Sequence, residues 1–285
     1  MNIGLVVSGG MAKGAYEVGA LQAISEYFRP EDFSVVSAAS IGVLNAYAFC
    51  SGKLDNLPDM WRGLIPPDGK VFIRAAMKSD YLKYRIGELS ADPVVCGRFF
   101  FPIFNMLSRN NCYIDITRRE EAFRDAYLRA AVAFFPICKP VEICGNTYYD
   151  GALIDNIPIC TMVKRKLDYI ICLYFDKNDY KFESHKFDKK IIKISFYDEK
   201  EIIKKSIWFE RDNIEQMIAK GYKKTKSVLD FVFMKGTDNV GEILGRIEEL
   251  NMINQSGNVR LTGDIAIRNL NRLAQLLTVR RFVDE

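Results

Sequence analysis

Apolar positions follow two different periods along this chain, and the switches between them mark its elements. Ile3-Gly4-Leu5-Val6-Val7 is a continuous apolar run that ends in Ser8-Gly9-Gly10, the pattern of a buried strand entering a glycine turn. From Ala15 the spacing becomes helical, with Val18, Leu21, Ala23 and Ile24 on one stripe. The same unit then repeats: Phe33, Val35 and Val36 form a β-prone run, Ala38-Ala39-Ser40-Ile41-Gly42 follows, and residues 43–49 continue as a helix. Strand-like runs return at 141–149, 169–175 and 191–196, and Gly145-Asn146 within the first of them predicts a hairpin turn. Helical spacing is read at 214–222, 241–250 and 265–277. Strands that alternate with helices predict an α/β chain with a parallel or mixed sheet covered on both faces.

Three turns in this pattern carry chemistry. Ser8-Gly9-Gly10-Met11-Ala12-Lys13-Gly14 lies between a strand and a helix, where backbone N–H groups are unpaired and the helix dipole favours an anion. It is not a phosphate loop of the Gly-x-x-x-x-Gly-Lys-[Ser/Thr] kind, because Lys13 precedes the last glycine and Ala15 follows it. A plain strand-to-helix turn is the structural alternative. Ala38-x-Ser40-x-Gly42 sits where a nucleophile elbow would, and its structural alternative is a helix N-cap serine. Asp150-Gly151 ends the hairpin; alone, it is an ordinary turn. Together the three supply an oxyanion site, a nucleophile and a carboxylate, which are the parts that acyl transfer to serine requires.

The base that activates the serine has two candidates. His185 is the one histidine in the chain, and the order Ser40, Asp150, His185 suits a hydrolase triad, but residues 176–186 are polar and read as an exposed connection. The other candidate is Asp150 itself. A free aspartate, with a pKa of about 3.9, is a poor base for a hydroxyl; one in a partly dry cleft beside Oγ is a better one.

In this order and at these intervals the three segments resemble the patatin-like phospholipases. Ala130-Ala131-Val132-Ala133-Phe134-Phe135-Pro136 and the run from Asp150 to Pro158 add to the likeness, which covers residues 1–232 and leaves 233–285 as a C-terminal helical extension. The resemblance implies a three-layer α/β/α fold with a central, mostly parallel sheet and extra C-terminal helices. It implies a dyad in which Ser40 forms an acyl-enzyme and Asp150 is its general base, with Gly9, Gly10 and Met11 at the oxyanion hole. Lys13 matches the basic residue of the loop, Ala38 and Gly42 the small residues of the elbow, and Gly151 the glycine of the Asp-Gly motif. Two positions depart from the family pattern: Met11 stands at the third glycine, where a positive φ would be costly, and Ala38 at the first elbow glycine. The implied substrate is a glycerophospholipid or lysophospholipid, with neutral glycerides as a further class and no cofactor or metal. An acyltransferase on the same acyl-enzyme and a catalytically silent lipid-binding module are the alternatives.

Composition narrows the partners. Forty Lys and Arg against 36 Asp and Glu leave a net charge of +4 over 285 residues, too little to argue for nucleic acid. Lysines cluster at 186, 189, 190 and 193, at 204 and 205, and at 220, 223, 224 and 226. Near an anionic bilayer each can add about 1 kcal/mol of attraction, but a solvated helix face is the favoured account of them. Seven scattered cysteines without a Cys-x-x-Cys pair predict a reduced, metal-free chain. No apolar run reaches the length of a membrane span and no signal segment precedes the first strand. The expectation is a cytoplasmic location, peripheral at the membrane, with export by a signal-independent route left open. Residues 55–130 are the expected source of a lid or acyl groove. Within them Phe99 to Leu107 is densest in large apolar groups, and core packing is the other account of that run.

Overall fold

The strand-like runs at 3–7, 33–36, 169–175 and 191–196 become the centre of one sheet in the computed structural model, which describes residues 1–66, 69–176, 181–197, 208–253 and 259–260. The described strands are β1 (Ile3–Val7), β2 (Phe33–Ala38), β3 (Lys70–Phe72), β4 (Phe99–Asn105), β5 (Asn110–Asp115) and β6 (Val141–Ile143). They continue with β7 (Asn146–Asp150), β8 (Tyr169–Tyr174), β9 (Lys181–Phe182), β10 (Ile191–Ser195), β11 (Trp208–Glu210) and β12 (Val259–Arg260). Eight form the main sheet in the order β10-β8-β1-β2-β4-β7-β6, with β5 paired to β4. Pairings from β10 to β4 are parallel; those of β4 with β5 and β7, and of β6 with β7, are antiparallel.

The continuous apolar runs are explained by burial on both faces. Leu5, Val7, Ile171 and Leu173 point into the larger core, and their neighbours Val6, Ile170, Cys172 and Tyr174 into a second, smaller one, the period-two alternation of a strand. Helices α1 (Ala15–Ser25) and α2 (Ile41–Cys50), with the long helix Arg211–Val232, cover the first face. The turns around Ile159–Met162 and the short helix His185–Asp188 cover the second. The architecture is the expected mixed, mostly parallel three-layer α/β/α fold.

One sequence expectation needs correction and one open choice is decided. The hairpin turn lies at Cys144-Gly145, one residue before Gly145-Asn146, with Ile143 opposite Asn146. Both turn residues have positive φ, 49° and 74°, the type I′ conformation whose twist matches the strands it joins. The aromatic run from Phe99 is β4, a strand of the main sheet in which Phe99, Phe101 and Ile103 are fully buried, so core packing accounts for it and it forms no lid. The late helical pattern at 214–222 lies inside Arg211–Val232, and that at 241–250 inside the helix Val240–Ile253, whose Ile243 and Ile247 join the larger core. The helix expected at 265–277 and the lysines at 204 and 205 lie outside the described residues.

Helix α1 and Arg211–Val232 meet backbone to backbone. A Cβ at Gly19 would overlap the Ile218 carbonyl, and one at Gly221 would overlap the Tyr16 carbonyl. Overpacking a tight contact costs about 1–3 kcal/mol. Gly19→Ala and Gly221→Ala are therefore each expected to lower the urea midpoint by that order, whereas Gly87→Ala, where a Cβ meets nothing within 4 Å, leaves it unchanged or slightly raised.

Candidate active site

Strand β2 delivers its last residue, Ala38, to a turn so tight that Ser40 takes φ 52° and ψ −132° before α2 starts at Ile41. A non-glycine residue in that region is strained by about 1–3 kcal/mol. Ser40 stands at the N-cap position, yet its hydroxyl makes no capping hydrogen bond, so the N-cap reading of this serine does not describe it. Ala38 is fully buried under the turn, and a Cβ at Gly42 would overlap the Ser8 carbonyl, which explains small residues on both sides of the serine.

The glycine loop lies directly against this turn. A Cβ at Gly9 would lie 2.8 Å from Ser40 Cβ and 2.5 Å from Asn156 Oδ1, and one at Gly10 would overlap the Phe175 ring. Met11 has φ 51°, so the position does require the left-handed conformation that glycine adopts freely and methionine adopts at a cost. Lys13 lies with its ammonium 5.2 Å from the centre of the Phe175 ring. Burial lowers its pKa, against the opposing pull of Asp176 and Glu17.

The three backbone N–H groups of the loop are not equivalent. Gly9 N–H donates to Asn156 Oδ1 at 3.1 Å and to the Asn156 carbonyl at 3.3 Å, while Asn156 Nδ2 donates back to the Gly9 carbonyl at 3.0 Å. Gly9 N–H is thus engaged in holding the loop, unlike the oxyanion role that the family resemblance implies for it. Gly10 N–H has no hydrogen-bond partner among the described residues, and Met11 opens a 3-10 turn that gives its N–H none.

Asp150 ends β7, fixed by its own N–H to the Ala133 carbonyl at 3.0 Å and by the Ala152 N–H to its Oδ1 at 2.8 Å. Gly151 packs on Pro102 of β4 too closely for any side chain. Asp150 as a whole is 1% exposed. Burial raises its pKa to about 7, opposed first by the Ser40 hydroxyl and then by the Ala152 N–H. Its Oδ2 nevertheless has no hydrogen bond of ordinary geometry. The Ser40 hydroxyl is near enough to act on the carboxyl's charge without closing that bond, the loose arrangement usual in sites that tighten around substrate.

The structure brings Ser40, Asp150 and the 9–14 loop together and leaves His185 out. His185 is exposed at the start of the short helix before β10, within electrostatic reach of Glu248, at the edge of the sheet remote from Asp150. Most described lysines of the predicted clusters have partners within the fold: Lys193 pairs with Asp188, Lys189 with Glu248 and Lys226 with Asp230, while Lys190 donates to the Leu167 carbonyl and Lys224 to the Ser195 carbonyl.

Two polar contributors escaped the sequence reading. Asn156 was visible only as one residue of the run from Asp150 to Pro158; its partner Gly9 is far away in the chain. Glu17, fully buried in α1, bonds through Oε2 to Asn45 Nδ2 at 2.9 Å. Asn45 in turn donates to the Gly14 carbonyl at 3.0 Å and accepts from Trp61 Nε1 at 3.0 Å. Burial holds the Glu17 carboxyl well above the usual range. The signal for it was a lone charge inside an otherwise apolar helix.

Comparison with known proteins places this geometry in context. Residues 5–162 match the family model described as Patatin-like phospholipase. Lysophospholipase NTE1 of Candida albicans is 22% identical over 188 residues, 60% of this chain and 13% of that protein. Lysophospholipase NTE1 of Cryptococcus neoformans is 28% identical over 178 residues, 55% of this chain and 10% of that protein. The chain therefore spans only a small part of the curated relatives it matches. Among solved structures, VipD from Legionella pneumophila is similar at 13% identity and a TM-score of 0.48, over 80% of this chain and 67% of that one. No described helix is long and apolar enough to cross a membrane.

The buried Asp150 carboxyl has a measurable signature. With a folded pKa raised to about 7 from about 3.9 when unfolded, the fold favours the protonated form. The stability associated with it is fully present below about pH 4 and is lost as pH rises through 7. Asp150→Asn has no such loss. In urea unfolding across that window, the variant is expected to gain about 2–4 kcal/mol over the wild type and to keep the gain above pH 7. Glu17 titrates alike in both proteins and cancels from the difference.

Proposed function

Because the chain belongs to the patatin-like phospholipase family, we propose that it cleaves fatty-acyl esters of glycerophospholipids or lysophospholipids through an acyl-enzyme on Ser40. The observation that carries this reading is the buried, unpartnered Oδ2 of Asp150 beside a strained serine whose hydroxyl is not used to cap its helix. Asp150 is the general base. A carboxyl that titrates near neutrality is half ionised at pH 7 and still basic enough to take a proton as Oγ attacks.

Attack moves the Ser40 proton to Asp150 and forms the Oγ–carbon bond, placing negative charge on the former carbonyl oxygen. The N–H groups of Gly10 and Met11, left over once Asn156 has engaged Gly9, are the proposed donors to that oxyanion; one preorganised donor is worth about 2.7–4 kcal/mol. Collapse breaks the ester bond, and the leaving alcohol takes the proton from Asp150. Asp150 then deprotonates a water that attacks the acyl-Ser40, and the second collapse releases the fatty acid and returns the proton to Ser40. Asn156 is a positioning residue, since it touches the loop and not the substrate.

Fatty-acid release from mixed phospholipid vesicles and cleavage of a short p-nitrophenyl ester test this. Ser40→Ala and Asp150→Asn are each expected to lower kcat by at least roughly a thousandfold with the fold intact, and His185→Ala to leave it within about twofold. Activity that survives Ser40→Ala overturns the mechanism, and a wild type that binds lipid but turns over neither substrate favours the silent module. The wild-type rate should rise through about pH 7 and level off, following ionisation of Asp150. Asn156→Ala is expected to lower kcat by about a hundredfold with little change in KM, as for a misplaced catalytic group; an equal effect on KM alone would refute its role.

A further inference from the structure

A cavity of about 460 Å³ is walled by residues 77–86 and 129–141, within the size range of small-molecule sites. Leu82, Ile86, Val132 and Val141 make its floor apolar. Ala133 also lines it, and its carbonyl accepts the backbone N–H of Asp150 at 3.0 Å, so the cavity wall is one hydrogen bond from the main chain that carries this carboxylate. Cys138 is a second link: its thiol lies in the cavity wall and feels both the Lys78 ammonium and the Asp150 carboxyl. The volume is of the order that one fatty chain fills.

Charge at the mouth is one-sided. Four cations line the cavity. Lys83 is paired with Asp80 at 2.7 Å and Arg129 with Asp125 at 2.6 Å. Lys78 and Lys139 are exposed and have no carboxylate partner among the described residues. Two uncompensated ammonium groups above an apolar floor favour an amphiphile whose head carries net negative charge, and disfavour one whose phosphate is already balanced by a quaternary ammonium.

We infer that this cavity receives the acyl chain of a single-chain, net anionic lysophospholipid, with Lys78 and Lys139 holding its head group. The inference deepens the hydrolase reading and rests on it for the orientation of the ester toward Ser40. The chain contributes affinity through burial of its methylenes; the lysines contribute discrimination between head groups.

The test uses lysophosphatidylglycerol and lysophosphatidylcholine of one chain length, each kept below its micelle concentration, so that attraction to a charged surface is not measured in place of binding at the cavity. Wild type is expected to prefer the anionic lipid by about tenfold in kcat/KM, and the preference to shrink as salt is raised. The double variant Lys78→Gln/Lys139→Gln, whose folding is checked by thermal melting, is expected to bring the two lipids within about twofold. The same comparison of dissociation constants is made on Ser40→Ala, with and without the two lysine changes, where turnover plays no part. Hydrolysis without head-group preference, or a preference that survives the double variant, overturns the inference and leaves the hydrolase reading standing. Anionic preference in binding that the lysine changes abolish, with no turnover by wild type, supports the cavity and removes the hydrolase reading.

Discussion

Asn156 and Gly9 exchange hydrogen bonds in both directions, and the geometry of the site hangs on that exchange. It ties the loop after the first strand to the segment that follows Asp150, two stretches at opposite ends of the matched family region. Each of the proposed catalytic groups belongs to one side of this tie or to the turn it presses upon. Gly9 has no side chain because Ser40 and Asn156 already occupy the space. The tie also makes the loop's N–H groups unequal: the first holds position, and the next two have no partner among the described residues.

The site is costly to maintain, and the sheet beneath it offsets that cost. Met11 and Ser40 sit at positive φ, each strained by about 1–3 kcal/mol. Asp150 and Glu17 are carboxyls removed from water, with one oxygen of each unpartnered. Against this stand β1, β8 and β2, whose side chains are almost all buried between two cores. A fully buried aliphatic side chain contributes about 1.5–3 kcal/mol, so a few such residues balance one strained turn. The network from Glu17 through Asn45 to Trp61 and the Gly14 carbonyl then fixes where α1, α2 and the end of the loop lie relative to one another.

How much of this was legible in the chain depends on the range over which each signal acts. Ile3–Val7 and Tyr169–Tyr174 were readable as strands because burial on both faces leaves a continuous apolar run. The glycine loop and the serine turn were readable because tight turns demand small residues locally. Phe99–Asn105 was ambiguous for the same physical reason that makes it a good central strand: aromatic density marks a core and a groove alike. The hairpin turn slipped by one residue because Cys144 adopts a positive φ that composition does not advertise. That Gly9 N–H is engaged, and that Asn156 engages it, could not be read from either segment alone. Such a contact exists only once β1 and β7 share a sheet.

The backbone contact between α1 and Arg211–Val232 has a bearing on what counts as the minimal working unit. Helix α1 runs on directly from the glycine loop, and its outer side is seated without clearance on a helix that begins well after residue 162, where the family match ends. A fragment cut at that boundary would retain Ser40, Asp150, Asn156 and the whole loop. It would also expose the groove at Gly19 to water and free α1 to rock, so the loop would lose its outer abutment while every proposed catalytic residue was still present. The autonomy of the chemistry thus extends further along the chain than the motifs that announce it.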